Sequence, residues 1–119
     1  MRDFRKLDVW QKSHDLAMHV HIVTKQFPKE EIYGLTSPTR RSATSVPMNI
    51  SEGCGRDSVL DFRRFLSIAA GSASELEYQI LLARDLEYLN QEQFERLTAK
   101  VIEVRRMLAA LIRKLKADG

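Results

Sequence analysis

Apolar positions recur with helical spacing in three of the four helix-length segments into which prolines and glycines divide this chain. The first segment carries such a stripe, apolar except for Ser13, up to the proline at residue 28: Val9, Ser13, Leu16, Val20, Val23 and Phe27. The third carries a longer stripe: Val59, Phe62, Leu66, Ala69, Ala73, Leu76, Ile80 and Ala83. The fourth has the most regular heptad pattern: Phe94, Leu97, Val101, Val104, Leu108, Leu111 and Leu115. Because no segment alternates with the period of a strand, the pattern predicts an all-α protein.

Prolines, glycines and capping residues indicate where these helices begin and end. Ser37 before Pro38 is typical of an N-cap followed by the first helical position, and Ser58 is typical of a second N-cap. The predicted helices span about residues 8–27, 37–53, 58–89 and 91–116, within a single domain of residues 1–119. Short connections favour antiparallel neighbours. The expected fold is therefore an antiparallel, up-and-down four-helix bundle.

The third and fourth predicted helices carry more apolar residues than one small core needs. Seven of them lie outside the main stripes: Phe65, Ile68, Leu82, Leu86, Leu89, Ile102 and Ile112. Such residues either widen the core stripe or form a surface for self-association. Burial of a leucine-sized side chain contributes roughly 1.5–3 kcal/mol, so we expect a homo-oligomer.

The composition is that of a globular domain with a core, since 44% of the 119 residues are hydrophobic and 29% are charged. No apolar run approaches the roughly 20 residues of a membrane span, and the charged start is unlike a secretory signal. Cys54 is the single cysteine and has no partner for an internal disulfide. A cytoplasmic location is therefore expected.

The net charge of +3 is mild, but its distribution along the chain is uneven. Residues 75–95 carry six acids and one base, whereas residues 100–116 carry six bases and one acid. Such blocks are either solvated helix faces or a basic end that attracts polyanions.

The stretch between Arg41 and Glu52 carries no charge and contains Pro47. Gly53 and Gly55 follow it, but no Lys-Ser/Thr pair or preceding strand accompanies them, so a phosphate-binding loop is excluded. The stretch instead favours a buried helix bent at the proline and ended by one of these glycines in a left-handed conformation.

These residues also carry a family resemblance. The segments "YGLTSPTRRSATSVPMNISEGCGR" and "DFRRFLSIAAGSASELEYQ", with the entry "FRKLDVWQKS", resemble the proteins encoded by intervening sequences in bacterial 23S ribosomal RNA genes. The chain is also similar to accessory proteins of diversity-generating retroelements. The structural signature comprises Arg40, Arg41, Pro47, Asn49, Glu52, Gly53, Gly55, Arg56, Gly71, Ser72 and Glu75. The resemblance implies a left-handed antiparallel bundle, a ring-like homopentamer, and nucleic-acid binding without catalytic activity.

The chain shows no constellation expected of an enzyme. His14, His19 and His21 all lie in the first predicted helix, without a second source of strong metal ligands. No glutamate has a histidine three residues later, so the di-iron motif of helix bundles is absent. Cys54 follows a helix C-terminus, where the dipole disfavours a thiolate. We therefore expect no catalytic residue, metal or cofactor.

Basic side chains are the remaining candidates for a site. The predicted nucleic-acid-binding residues are Arg63, Arg64, Lys100, Arg105, Arg106, Arg113, Lys114 and Lys116. The carboxylates Glu52, Glu75 and Glu77 are expected to pair with Arg40, Arg41 or Arg56. Phe4 and Trp10 either stack bases or pack in the core, and core packing is favoured. Without a known recognition motif, binding is expected mainly at phosphates, with strong salt dependence.

Two functions follow from these patterns. The leading hypothesis is a non-enzymatic, oligomeric module that binds RNA or another nucleic acid. The alternative is an assembly scaffold that holds a partner protein, such as a reverse transcriptase or an RNA-processing factor.

Overall fold

Four α-helices make up most of the structure, a computed structural model that describes residues 2–118, with side chains described for residues 2–117. Met1 and Gly119 of the predicted domain lie outside these residues. The helices are α1 (Asp8–Val23), α2 (Ser37–Cys54), α3 (Val59–Asp85) and α4 (Gln91–Asp118). No strand occurs in the described part of the chain. The all-α prediction is confirmed. No helix within residues 2–118 combines the length and the apolar character needed to cross a membrane.

Successive helices pack side by side in opposite directions. The Ser42 hydroxyl on α2 lies 2.6 Å from Glu75 Oε1 on α3, and the Ser45 and Ser72 hydroxyls lie 2.8 Å apart. Residue numbers therefore rise along α2 as they fall along α3. In the contacts between α3 and α4 and between α4 and α1, residue numbers likewise rise along one helix as they fall along the other. With extents of 45 × 22 × 20 Å, this arrangement is consistent with a four-helix bundle.

The core contains most positions of the predicted stripes, together with Ala43, Val46, Ile50 and Cys54 of α2. The stripe positions of α1 and of the turn that follows it are buried as far as Phe27. The stripe positions from Phe62 to Ala83 on α3 and from Leu97 to Leu108 on α4 are buried as well. Val59 differs, because it occupies the first position of α3 and is 38% exposed. Among the surplus apolar residues, Leu89 is buried, while Ile68 and Leu86 remain 42% and 45% exposed. The surplus thus partly widens the core and partly stays on the surface.

The predicted helix starts have different outcomes. Ser58 caps α3 as predicted, because its hydroxyl accepts the Asp61 backbone N–H at 3.0 Å. The predicted Ser37 cap is wrong. A π-helical turn at Ile32–Thr36 leads directly into α2, so Ser37 already has helical φ and ψ angles of −63° and −44°. A residue that is already helical does not supply the extended backbone of an N-cap.

Helix α1 stops short of residue 27, because its α-helical hydrogen bonds end at Val23 and a 3₁₀ turn follows at Thr24–Gln26. Helix α3 ends at Asp85 in a Schellman motif, four residues before the predicted end. The Tyr88 N–H donates to the Ala83 carbonyl at 2.8 Å, and the Glu87 N–H donates to the Arg84 carbonyl at 2.9 Å. Glu87 has a φ of 67°, a position where glycine is the usual residue.

The predicted left-handed glycine at the end of α2 is wrong. Gly55 has a φ of −83°, and no glycine among the described residues has a positive φ. Gly53 lies within α2, where a Cβ would sit 3.0 Å from Phe62 Cδ1 and 3.0 Å from Phe65 Cβ. This glycine therefore allows α2 and α3 to approach closely. Pro47 also lies inside α2 and is buried.

Candidate nucleic-acid interface

Three separate segments of the chain meet at one end of the bundle. The Arg2 backbone N–H donates to the Cys54 carbonyl at 3.4 Å, and Arg2 Nη1 donates to the Arg56 carbonyl at 3.3 Å. Because α4 runs opposite to α3, its last two turns reach the level of the first turns of α3. We call this region the basic end. Its cations are Arg2, Arg5, Lys6, Arg56, Arg63, Arg64, Arg113, Lys114 and Lys116.

Five of the eight predicted binding residues lie at the basic end: Arg63, Arg64, Arg113, Lys114 and Lys116. The last three are exposed on α4. Arg106 is also exposed and lies about two turns before Arg113 on α4, beside a groove between α3 and α4.

Lys100 and Arg105 lie nearer the middle of the bundle, and each is held by a carboxylate. Lys100 Nζ lies 2.6 Å from Asp15 Oδ2, and Arg105 Nη1 lies 2.6 Å from Glu77 Oε1. The hydrogen bond from Lys100 holds the pKa of Asp15 below its usual value. A phosphate would have to compete with these carboxylates, so neither cation is as available as those at the end of α4.

Four cations of the basic end were missed by the sequence analysis: Arg2, Arg5, Lys6 and Arg56. The first three belong to the segment before α1, which no helical pattern connects to α4. A run of three bases within residues 2–6 was the only available signal.

Acidic side chains also occur at the basic end, but their ion pairs are exposed. Arg5 Nη1 lies 3.4 Å from Asp3 Oδ1, Arg56 Nη2 lies 3.7 Å from Glu52 Oε1, and Arg64 Nε lies 3.3 Å from Asp61 Oδ1. Asp8 and Asp57 are exposed nearby. Exposed ion pairs contribute only about 0–1 kcal/mol, so a polyanion can replace them at little cost.

The expected pairing of the signature charges is only partly correct. The pair between Arg56 and Glu52 forms, as given above. Arg40 instead donates from Nε to the Thr24 hydroxyl at 2.8 Å, and Glu75 accepts the Ser42 hydroxyl. A hydroxyl group in the 3₁₀ turn after α1 and another on α2 thus take the place of the predicted charged partners.

Phe4 and Trp10 pack partly buried against the core, as favoured from the sequence. Their ring centroids lie 4.9 Å apart, and the Trp10 ring stacks on His14 at 5.0 Å with an interplanar angle of 5°. These rings line an apolar groove of about 420 Å³ between α1 and α2, which also includes Met18 and Met48.

Much of the structural signature faces outward rather than into the core. Five of its members are exposed: Arg41, Glu52, Gly55, Gly71 and Glu75. Asn49 is partly buried and donates from Nδ2 to the Ser45 carbonyl at 2.8 Å. A Cβ at Gly71 would meet no atom within 4 Å, so packing within the chain does not require this glycine.

The described residues bring no three His, Cys, Asp or Glu side chains together in a metal-binding arrangement. Cys54 is buried at the end of α2, and burial raises the pKa of its thiol. A raised pKa disfavours the nucleophilic thiolate.

Comparison with known proteins agrees with the fold and with the resemblance. The family model of the 23S rRNA-intervening sequence protein matches residues 5–110. The structure of a Bacteroides thetaiotaomicron protein with unknown function, from the S23 ribosomal protein family, is similar, with a TM-score of 0.81 and 28% sequence identity. That similarity covers 88% of this chain and 95% of the other. No curated protein matches the chain. The chain belongs to the 23S rRNA-intervening sequence protein family.

Proposed function

We propose that this protein is a non-enzymatic, oligomeric module of the bacterial cytoplasm that binds RNA or another nucleic acid through its basic end. The convergence of nine cations from three segments carries this proposal. Arg113, Lys114 and Lys116 are exposed and contact no carboxylate among the described side chains. Binding occurs mainly at phosphates, so it is salt-sensitive and has little sequence specificity.

Filter binding of a single-stranded RNA across a salt series tests this proposal. The double variant Lys114→Gln/Lys116→Gln should bind more weakly, with a salt dependence of log affinity reduced by about 1.4 for two lost phosphate contacts. The matched control Lys25→Gln/Lys29→Gln removes the same charge at the opposite end and should bind like the wild type. Absence of binding at low salt would contradict the proposal, because phosphate-driven affinity is greatest there.

We further propose that each subunit is a left-handed bundle and that the subunits form a ring-like homopentamer. Apolar side chains on the outer face of α3 support assembly, since Ile68, Tyr78 and Leu81 are exposed. Gly71 lies among them and costs about 1 kcal/mol relative to alanine in a helix. Close approach of a neighbouring subunit would account for this glycine. The number five rests on the family resemblance, and a ring would place several basic ends on one ligand.

Light scattering after size exclusion tests the assembly, with an expected mass of about five chains. Gly71→Leu should dissociate the ring without unfolding the subunit, because the added side chain has open space within the chain. Ala99→Leu, at an exposed position of α4, is the control and should leave the mass unchanged. A wild-type monomer at high micromolar concentration would contradict the ring. An unchanged mass for Gly71→Leu would exclude an interface at this residue.

The alternative function is an assembly scaffold for a partner protein, and the apolar groove between α1 and α2 supports it. Met48 is exposed at the edge of this groove and offers an adaptable apolar contact. Met48→Asp should then abolish co-purification with a protein encoded by a neighbouring gene, such as a reverse transcriptase. An unaltered complex, with RNA binding retained, would favour the RNA function.

A further inference from the structure

Arginine side chains of the basic end lie over phenylalanine rings. Arg2 Cζ is 4.1 Å from the centroid of the Phe62 ring. Two more arginines share the Phe65 ring, with Arg56 Cζ at 4.8 Å and Arg64 Cζ at 4.5 Å from its centroid. Cation–π contacts of this kind hold a guanidinium against an aromatic surface. We call Arg56, Arg64 and Phe65 the arginine platform.

The arginine platform is accessible to a ligand. The Arg56 and Arg64 side chains are 41% and 57% exposed, and Phe65 is partly buried beneath them. Their ion pairs with Glu52 and Asp61 are exposed and weak, so most of their hydrogen-bond donors remain available. A guanidinium is planar, always charged and weakly hydrated, and a nucleic-acid base can stack on its plane.

A similar contact at the other end of the bundle differs in its surroundings. Arg84 Cζ lies 4.3 Å from the centroid of the Phe94 ring, but Asp85 Oδ1 accepts hydrogen bonds from Arg84 at 3.0 and 3.1 Å. Glu87, Glu92 and Glu95 make that end acidic. Carboxylates thus outnumber cations around Arg84, whereas nine cations outnumber five carboxylates at the basic end. The arginine platform therefore combines the contact between arginine and ring with an excess of positive charge.

We propose that the basic end selects unpaired nucleotides of single-stranded RNA, with bases stacking on the arginine platform and phosphates contacting Arg113, Lys114 and Lys116. This inference rests on the proposed nucleic-acid binding and adds the class of ligand to it. Lysines and arginines alone would bind any phosphate backbone, whereas a stacking surface requires bases free of a duplex. The arrangement combines the basic surface and the stacking groups that single-strand binding uses.

The test compares three probes of equal length: an unstructured RNA strand of about twelve nucleotides, its abasic counterpart and the corresponding duplex. The wild-type protein should bind the base-bearing strand about tenfold more tightly than the abasic strand, the effect of one stacked base. It should also bind that strand more tightly than the duplex at the same salt concentration.

Arg64→Lys is the decisive variant, because it keeps the charge, removes the planar group and alters an exposed side chain. It should lose most of the preference for bases, measured as the ratio of its affinities for the base-bearing and abasic strands. Arg84→Lys is the matched control, because it changes an arginine over a phenylalanine ring at the other end of the bundle, and it should retain the full preference. Phe65→Leu should act like Arg64→Lys, and Phe94→Leu should behave like the wild type, each with folding verified by circular dichroism.

The outcomes separate this inference from the proposed function. Equal affinity for the base-bearing and abasic strands, or a full preference in Arg64→Lys, would overturn the stacking proposal and leave phosphate binding intact. A preference for the duplex would overturn it as well. If none of the three probes binds at low salt, the proposed nucleic-acid function itself fails.

Discussion

The two ends of the bundle use their polar and charged side chains differently. We call residues 24–36 together with residues 84–96 the acidic end, after its six carboxylates. Here the Tyr88 hydroxyl donates to Glu31 Oε2 at 2.6 Å, and Gln26 Nε2 donates to the Tyr88 carbonyl at 2.8 Å. These bonds tie the connection between α1 and α2 to the connection between α3 and α4. The polar groups of the acidic end therefore serve the fold.

At the basic end, by contrast, the long-range contacts are made by the arginine at position 2, while the charges at the end of α4 have no described carboxylate partner. Charges used within the chain stabilise it, and charges left over are available to a ligand. The number of charges alone therefore does not mark a binding surface. Whether partners within the chain already occupy the charges is the more useful criterion.

The largest expected effect comes from disrupting the packing of α2 against α3 at the basic end. Gly53→Val should destabilise the protein by about 3 kcal/mol, because the added side chain collides with Phe62 and Phe65 and separates α2 from α3. Urea unfolding measures this difference. Gly55→Val is the control, since its nearest atom lies at an ordinary contact distance of 3.5 Å and the position is exposed. A change of about 0.5 kcal/mol or less is expected there. Equal effects would contradict the close-packing argument.

A smaller effect of opposite sign is expected at the acidic end. Glu87→Gly should stabilise the protein by about 1 kcal/mol, because glycine adopts a φ of 67° without the steric cost of a side chain. Glu95→Gly removes the same charge within α4 and should instead destabilise by about 0.5 kcal/mol. Thermal and urea unfolding of both variants measure the difference. Destabilisation by Glu87→Gly would show that the Glu87 side chain has a stabilising contact.

Alkaline pH should weaken the acidic end through Tyr88. The hydrogen bond to Glu31 raises the pKa of Tyr88 above its usual value of 10.0, and burial adds to this effect. The unfolded chain then loses this proton near pH 10 while the folded chain keeps it. The contribution of Tyr88 to the free energy of unfolding is fully present below pH 10 and is lost as pH rises through the raised pKa. The free energy of unfolding should fall less steeply above pH 10 in Tyr88→Phe than in the wild type. Identical slopes would contradict this prediction.

The smallest effect is expected between the two ends, at His19 on α1. Burial lowers the pKa of His19 below 6.5. The positive charges of Lys100 and Arg96 lower this pKa further, and Asp15, which raises it, has a smaller effect. The folded state therefore favours the neutral imidazole, and stability is lost as pH falls from 6.5 through the lowered pKa. His19→Gln should remove this shallow loss between about pH 7 and 5, measured by urea unfolding at each pH. A steeper loss of stability in the variant as pH falls would contradict the lowered pKa of His19.

Prediction from the sequence succeeded for the helical fold because the apolar period is a property of each segment. The α1 stripe was identified entirely from its spacing, and Ser58 from its position before an acidic first turn. Helix boundaries were less predictable. Ser37 looks like a cap only if the preceding chain is extended, and here it is π-helical. The Schellman motif at Glu87 was missed because its usual glycine is absent.

For the candidate site, the sequence by itself determined four helices, the buried faces of α1, α3 and α4, and the basic block at the end of α4. The tertiary structure decided which charges remain available, because an ion pair such as Lys100–Asp15 joins residues far apart in sequence. It likewise placed Arg2 beside Arg56, 54 residues away. Helical periodicity follows from local backbone geometry, whereas convergence of charges depends on how whole helices pack.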